Sequence, residues 1–276
     1  MINSNGTFLS SEVCLSASNR GFLYGDGIFE TLKVVNNKIL FFEDHYFRLM
    51  ASMRIVRMQI PGNFTLEFLE EQILSTAAKN NCAESARIRL TIYRNNGGFY
   101  TPETKTTSYI IQAFPLATKL YTFLETSYEV DLYKDFFIAK QLLSTIKSTN
   151  KMINITGSIF AQENDLQNCL LLNNEKNVVE ALNGNIFMLL GHKLVTPPIE
   201  DGCLNGIVRK QVLAVAKKIE GLEVLEESIS PFDLQKAEEL FITNVIIGIQ
   251  PITQYRKKAY TTKLANELFQ KLNELI

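Results

Sequence analysis

At 276 residues the chain is long enough for one large domain or two modest ones, and it buries enough surface to fold without disulfides or a structural metal. Hydrophobic residues make up 46% and charged residues 21%, a globular balance that excludes an extended disordered chain. The net charge of −1 shows no basic excess, so no nucleic-acid partner is expected. No apolar run is long enough for a membrane span, and the N-terminus lacks the basic-then-apolar order of a signal peptide. The cysteines Cys14, Cys82, Cys169 and Cys203 make no CxxC pair. Reduced thiols and a cytoplasmic location follow as expectations. Only His45 and His192 are present, so no metal site is expected.

In chain order, residues 28–35 alternate as a strand, Asn36-Asn37 turns, and 38–42 returns as its hairpin partner. Glu43 or Asp44 should cap a helix to about Val56, with Tyr46, Phe47, Leu49, Met50 and Met53 at helical spacing. His45, at its start, reads as structural or solvent-facing. Thr65 opens a second helix to about Asn80. Strands follow at 86–94 and 107–114 around a polar turn region. Around Pro115–Leu120 the pattern breaks. It resumes with strands near 123–130 and 136–139, and then a helix from Thr149 or Asn150 to about Asp165. Strands fit 169–173, 178–182, 185–190 and 193–196, the last two joined by a Gly-His-Lys hairpin. A helix from Gly206 to Ile219, a short helix at 231–236, a strand at 239–243 and a final helix from about Thr261 complete the chain. Strands and helices are mixed without strict alternation, which indicates two α+β domains: 1–115, a linker at 116–121, and 122–276.

Generic catalytic signatures are absent: no GxGxxG, no P-loop and no GxSxG. Instead, an ordered series of short segments stands out. Asn19 to Thr31 reads RGFLYGDGIFET after its first residue, and His45 to Leu49 reads HYFRL. Ser144 to Asn150 carries Lys147, and Val178 to Phe187 carries Glu180. Leu204 to Arg209 places Gly206 at a helix start, and Leu240 to Ile252 contains Thr243-Asn244. In this order and spacing the segments closely resemble the class IV aminotransferases, the fold-type IV pyridoxal-phosphate enzymes. That family includes branched-chain and D-amino acid aminotransferases and 4-amino-4-deoxychorismate lyases. The resemblance runs from about residue 15 to 255.

The resemblance implies a two-domain, D-amino acid aminotransferase-like α+β fold, with pyridoxal 5′-phosphate in the cleft between the domains. Lys147, in the larger C-terminal domain, would carry the cofactor and serve as general base. Glu180 would pair with the pyridine nitrogen. Arg48 would hold the phosphate through its permanently charged fork. The backbone N–H groups of Ile207 and Val208 would cradle the same phosphate at a helix N-terminus, with Thr243 and Asn244 beside them. Tyr24, Glu30, Thr31 and Arg94 are substrate-pocket candidates. Tyr24 reads equally as a packed residue, and one of Glu30 and Thr31 should face the cleft. Arg20 and Asp26 are expected to hold their turn together. The implied partners are a small-molecule substrate and a second copy of the chain.

The reaction itself stays open between two readings. Thr243-Asn244 followed by Gly248 and Pro251 resembles the lyase pattern, Met152 stands where branched-chain enzymes have tyrosine, and the Arg-x-His pair of the D-amino acid enzymes is missing after Arg94. These details favour a lyase that forms p-aminobenzoate and pyruvate in folate biosynthesis. Against it, the lyase GGRGY loop appears here as Gly97-Gly98-Phe99-Tyr100 without its arginine, for which Arg94 or Arg89 would have to substitute. A branched-chain or D-amino acid aminotransferase is the alternative. A degenerate binding module is the remaining one, disfavoured because Lys147 and Glu180 are both present.

Overall fold

The computed structural model describes residues 1–10, 15–124 and 126–276; Cys14 and Glu125 lie outside the described residues. The chain divides into two compact units, Met1–Leu120 with Ile146–Asn150, and Tyr121–Thr145 with Lys151–Ile276.

The first unit contains β1 (Ile2–Ser4), β2 (Thr7–Leu9), α1 (Arg20–Tyr24), β3 (Gly27–Val35), β4 (Lys38–Ile39), α2 (Phe42–Ile55), α3 (Leu66–Lys79), β5 (Ser85–Arg94) and β6 (Thr107–Pro115). Its antiparallel sheet has the order β2-β1-β6-β5-β3-β4. The period-two alternation of β5 puts Ala86, Ile88, Leu90 and Ile92 into one core with Leu32 and Val34 of β3. Leu49, Met50 and Met53 of α2 and Leu69 and Ile73 of α3 close that core.

Asn36 and Asn37 both have positive φ, as a two-residue hairpin turn requires. The returning strand is only two residues long, not the expected five. Phe41 is left-handed and turns the chain straight into α2. Neither Glu43 nor Asp44 caps that helix. Both lie in its first turn, where a carboxylate favours the helix dipole without capping the backbone. Thr65 does cap α3, its hydroxyl accepting from Phe68 N–H at 3.2 Å. His45 is buried, not solvent-facing.

The second unit contains β7 (Glu129–Ile138), α4 (Met152–Glu163), β8 (Asn168–Asn173), β9 (Val178–Ala181), β10 (Gly184–Leu190), β11 (Lys193–Thr196), α5 (Ile207–Ala216), β12 (Glu223–Glu226), β13 (Glu239–Asn244), β14 (Gly248–Ile252), β15 (Gln254–Tyr255), β16 (Lys258–Ala259) and α6 (Lys263–Asn273). Its main path is β12-β11-β10-β9-β8-β7-β15-β16, with β13 paired to β10 and β14. Strand β8 is buried throughout. Leu170 and Leu172 enter one cluster, while Cys169 and Leu171 enter another that includes Ala161 of α4. The two strands expected near 123–130 and 136–139 are one strand with an irregularity after Tyr133, because β7 stays alongside β8 across the gap.

The helix expected from Thr149 or Asn150 starts only at Met152. Both side chains are engaged elsewhere, donating to backbone carbonyls of the first unit. For the same reason Lys147, expected in the C-terminal domain, groups with the first unit. Among the described residues no helix is long and apolar enough to cross a membrane, and no cluster of His, Cys, Asp and Glu could hold a metal.

Candidate active site

In the first unit, the segment Ile146–Asn150 is laid against the start of β3. Phe29 N–H donates to the Lys147 carbonyl at 2.7 Å, and Thr149 N–H donates to Gly27 O at 2.9 Å, bracketing an Ile28–Ser148 bridge. Ile146 is buried in the core of this unit. The Thr149 hydroxyl donates to Gly25 O at 2.9 Å, and Asn150 Nδ2 donates to the same carbonyl at 3.2 Å. Gly25 is left-handed, and a Cβ there would meet Asn150 Oδ1 at 2.3 Å, so the glycine permits this close docking. Lys147 is therefore fixed on both sides by strand-like bonds, and its Nζ lies 4.7 Å from the Phe29 ring centroid. The Arg89 guanidinium lies 3.9 Å from the same ring.

Glu30, the next residue on β3, points to the helix side of the sheet. Its carboxylate accepts from Arg48 Nε at 2.8 Å, from Arg48 Nη2, and lies 2.8 Å from His45 Nδ1. Glu30 is 2% exposed. Burial alone would raise its pKa, but the Arg48 charge and the hydrogen bonds from His45 and Arg48 outweigh it and bring the value to about 2. Burial pushes the His45 pKa down despite Glu30, and the charges of Arg48 and Lys147 act in the same direction. The ring is held neutral, with the proton on Nδ1 facing the carboxylate.

The remaining candidates of this unit differ in their engagement. Thr31 is half-buried on the opposite face from Glu30, paired in register with Arg89. Tyr24 is half-buried, its ring 5.8 Å from that of Tyr100 and 5.0 Å from the Arg20 guanidinium. Arg94, expected as a pocket cation, is buried instead. It donates to Asp26 at 2.9 Å and to the carbonyls of Val56 and Arg57, so its fork is occupied in closing the sheet onto α2. Arg20 ties the same Asp26 to the carbonyls of Gly97, Gly98 and Phe99.

In the second unit, Glu180 sits on β9 and accepts from Leu204 N–H at 2.9 Å. Asn185, across the β9–β10 hairpin in register with Glu180, donates to Leu204 O at 2.7 Å. Together they hold the turn that delivers Gly206, the N-cap of α5. A Cβ on Gly206 would stand 1.9 Å from Asn185 Oδ1, so any larger residue there would have to displace the Asn185 side chain. The side chains of Ile207 and Val208 are buried, while their N–H groups belong to the first turn of α5, which has no intrahelical acceptor for them. On β13, Thr243 is 1% exposed and its hydroxyl is buried with no hydrogen-bond partner among the described residues. Asn244 is engaged as a turn cap, donating to Asn183 O and accepting from Ile246 and Ile247 N–H.

Residues 27–255 match the model of the amino-transferase class IV family. The chain belongs to this family. A Methanocaldococcus jannaschii protein, provisionally assigned as a branched-chain-amino-acid aminotransferase, is 30% identical over 98% of the chain and 93% of its own length. The D-alanine aminotransferase of Listeria monocytogenes is 28% identical over 88% and 82%. The branched-chain amino acid aminotransferase of Escherichia coli superposes with a TM-score of 0.87 at 22% identity, over 98% of this chain and 92% of that one. The 4-amino-4-deoxychorismate lyase of Pseudomonas aeruginosa superposes with a TM-score of 0.85 at 22% identity, over 99% and 98%. The fold is thus the α+β fold-type IV architecture, and the protein is an enzyme of the class IV pyridoxal-phosphate family.

The residues present fit that cofactor. Thr243 supplies a buried hydroxyl without a partner among the described residues, and Gly206 opens the first turn of α5 to an anion. Phe29, His45 and Asn185 were not singled out from sequence as site residues, and Arg89 only as a stand-in for the missing loop arginine. Phe29 and His45 read as core or structural positions, and the roles of Arg89 and Asn185 depend on strand register.

Proposed function

We propose that this enzyme is a pyridoxal-phosphate-dependent aminotransferase acting on a small amino acid, of the branched-chain or D-amino acid kind. The observation that carries the reading is the near-full-length likeness to curated aminotransferases, at 28–30% identity. It favours the aminotransferase alternative over the lyase expectation. The occupied fork of Arg94 supports the change, since that arginine cannot substitute for the cation missing from the Gly97-Gly98-Phe99-Tyr100 loop.

In this reading Lys147 would supply the amine that carries the cofactor and, when released, would take the proton from substrate Cα and pass it to the cofactor carbon that receives the amino group. Bound pyridoxal phosphate supplies the electron sink for that proton removal. Glu180 pairs with the pyridine nitrogen. The Ile207 and Val208 N–H groups, the Thr243 hydroxyl and Arg48 take the phosphate. A second copy of the chain completes the enzyme. An exposed apolar stripe on α4, made by Met152, Ile155 and Ile159, supports this pairing.

The test is incubation of the holoenzyme with branched-chain L-amino acids or D-alanine and 2-oxoglutarate, and separately with aminodeoxychorismate alone. Amino-group exchange is the expected result. Pyruvate and p-aminobenzoate without a keto acid would establish the lyase instead.

A further inference from the structure

Arg48 does not stand alone on α2. Its Nε and Nη2 edge is taken by both oxygens of Glu30, a bidentate arrangement that fixes the guanidinium plane as well as its position. Glu30 is itself held from several sides. It belongs to the interior of β3, is almost completely buried, and is gripped from a second side by His45 Nδ1. The backbone of its neighbour Phe29 donates to the Lys147 carbonyl, so one short stretch of strand positions both the amine and the carboxylate.

We infer that Glu30 is a positioning residue for cofactor binding: with His45 behind it, it locks the Arg48 fork in the orientation that receives the phosphate. The inference rests on the reading of Arg48 as a phosphate ligand. Glu30 touches neither cofactor nor substrate. It acts by removing rotational freedom from a long side chain before the phosphate arrives, so less entropy is lost on binding. Its charge also offsets that of Arg48 inside the fold. A neutral His45 with its proton on Nδ1 adds a third anchor without adding a cation. A glutamine at this position retains the shape but has one acceptor oxygen, so it cannot offer a separate acceptor to each of the two donors on that edge.

The experiment compares affinities for pyridoxal phosphate and for pyridoxal, which lacks the phosphate, by titrating cofactor-stripped protein and following absorbance and fluorescence. Glu30→Gln is expected to weaken pyridoxal phosphate roughly tenfold or more and to leave pyridoxal within about twofold, with Arg48→Lys giving a similar selective loss. The double variant should lose little beyond either single one, because both changes break the same lock. Should Glu30→Gln fail to fold, Glu30→Asp keeps the charge one methylene short and is expected to give a smaller loss of the same selectivity. Equal weakening of both ligands, or of neither, overturns the positioning role. An Arg48→Ala variant with an unchanged preference for the phosphorylated ligand would instead overturn the phosphate assignment of Arg48.

Discussion

Replacing Thr243 by valine separates what a residue does for the fold from what it does for the cofactor. Valine is nearly isosteric and equally β-branched, so β13 keeps its pairing with β10 and β14. The change exchanges a hydroxyl that is buried and without a partner among the described residues for a methyl group. An unsatisfied buried hydroxyl costs about 1–3 kcal/mol. Removing it should stabilise the cofactor-free protein by about 1 kcal/mol, a rise in Tm of roughly 2–4 °C for a chain of this size. If Thr243 holds the phosphate as proposed, the same substitution removes a charge-assisted hydrogen bond and should weaken cofactor binding by about tenfold or more. Thermal and urea unfolding of stripped protein measure the first effect, and cofactor titration measures the second. A cofactor-free variant less stable than wild type would show that the hydroxyl is satisfied within the fold. Unchanged cofactor affinity would remove Thr243 from the phosphate cup.

Three other outcomes follow from the same geometry. Glu30 has a folded pKa of about 2 against an ordinary 4.5, so the unfolded chain takes up its proton first as pH falls. Its contribution, about 3 kcal/mol, is complete above about pH 4.5 and is lost as pH falls toward 2. The stability gap between wild type and Glu30→Gln should therefore shrink over that range, and a gap that stays constant in acid would contradict the ionised pair. Gly206→Ala is expected to destabilise by about 1–3 kcal/mol through the collision with Asn185, with the loss largely relieved in an Asn185→Ala background. No relief in that background would mean that the strain lies elsewhere. Burial brings the Lys33 amine down to about 8. Between pH 8 and 10 the unfolded chain binds more protons at this site, so its contribution rises with pH. Lys33→Met should flatten that rise in urea midpoints relative to wild type, and an identical pH profile would refute the assignment.

The family could be read before the fold. Lys147, Glu180, Gly206 and Thr243 lie in short segments whose order and spacing carry the family resemblance. The apolar periodicities of β5, α2 and α3 are equally local, and they mark the buried faces on their own. Boundaries were less legible where a side chain had a distant partner. Thr149 and Asn150 have the composition of helix caps, yet they donate to Gly25 and Gly27 across more than a hundred residues of sequence. Arg94 looked like a free cation because Asp26, Val56 and Arg57 are remote from it in the chain.

The sequence by itself determined the family and the apolar stripes, because these are properties of residue type at fixed spacing. Only the tertiary structure decided which charges are spent on one another. Glu30, His45 and Arg48 form a buried triad because register places β3 under α2, and burial then strengthens the pairing that water would weaken. No local pattern carries that information, since the energy of an ion pair depends on distance and on surroundings that exist only once the chain has folded.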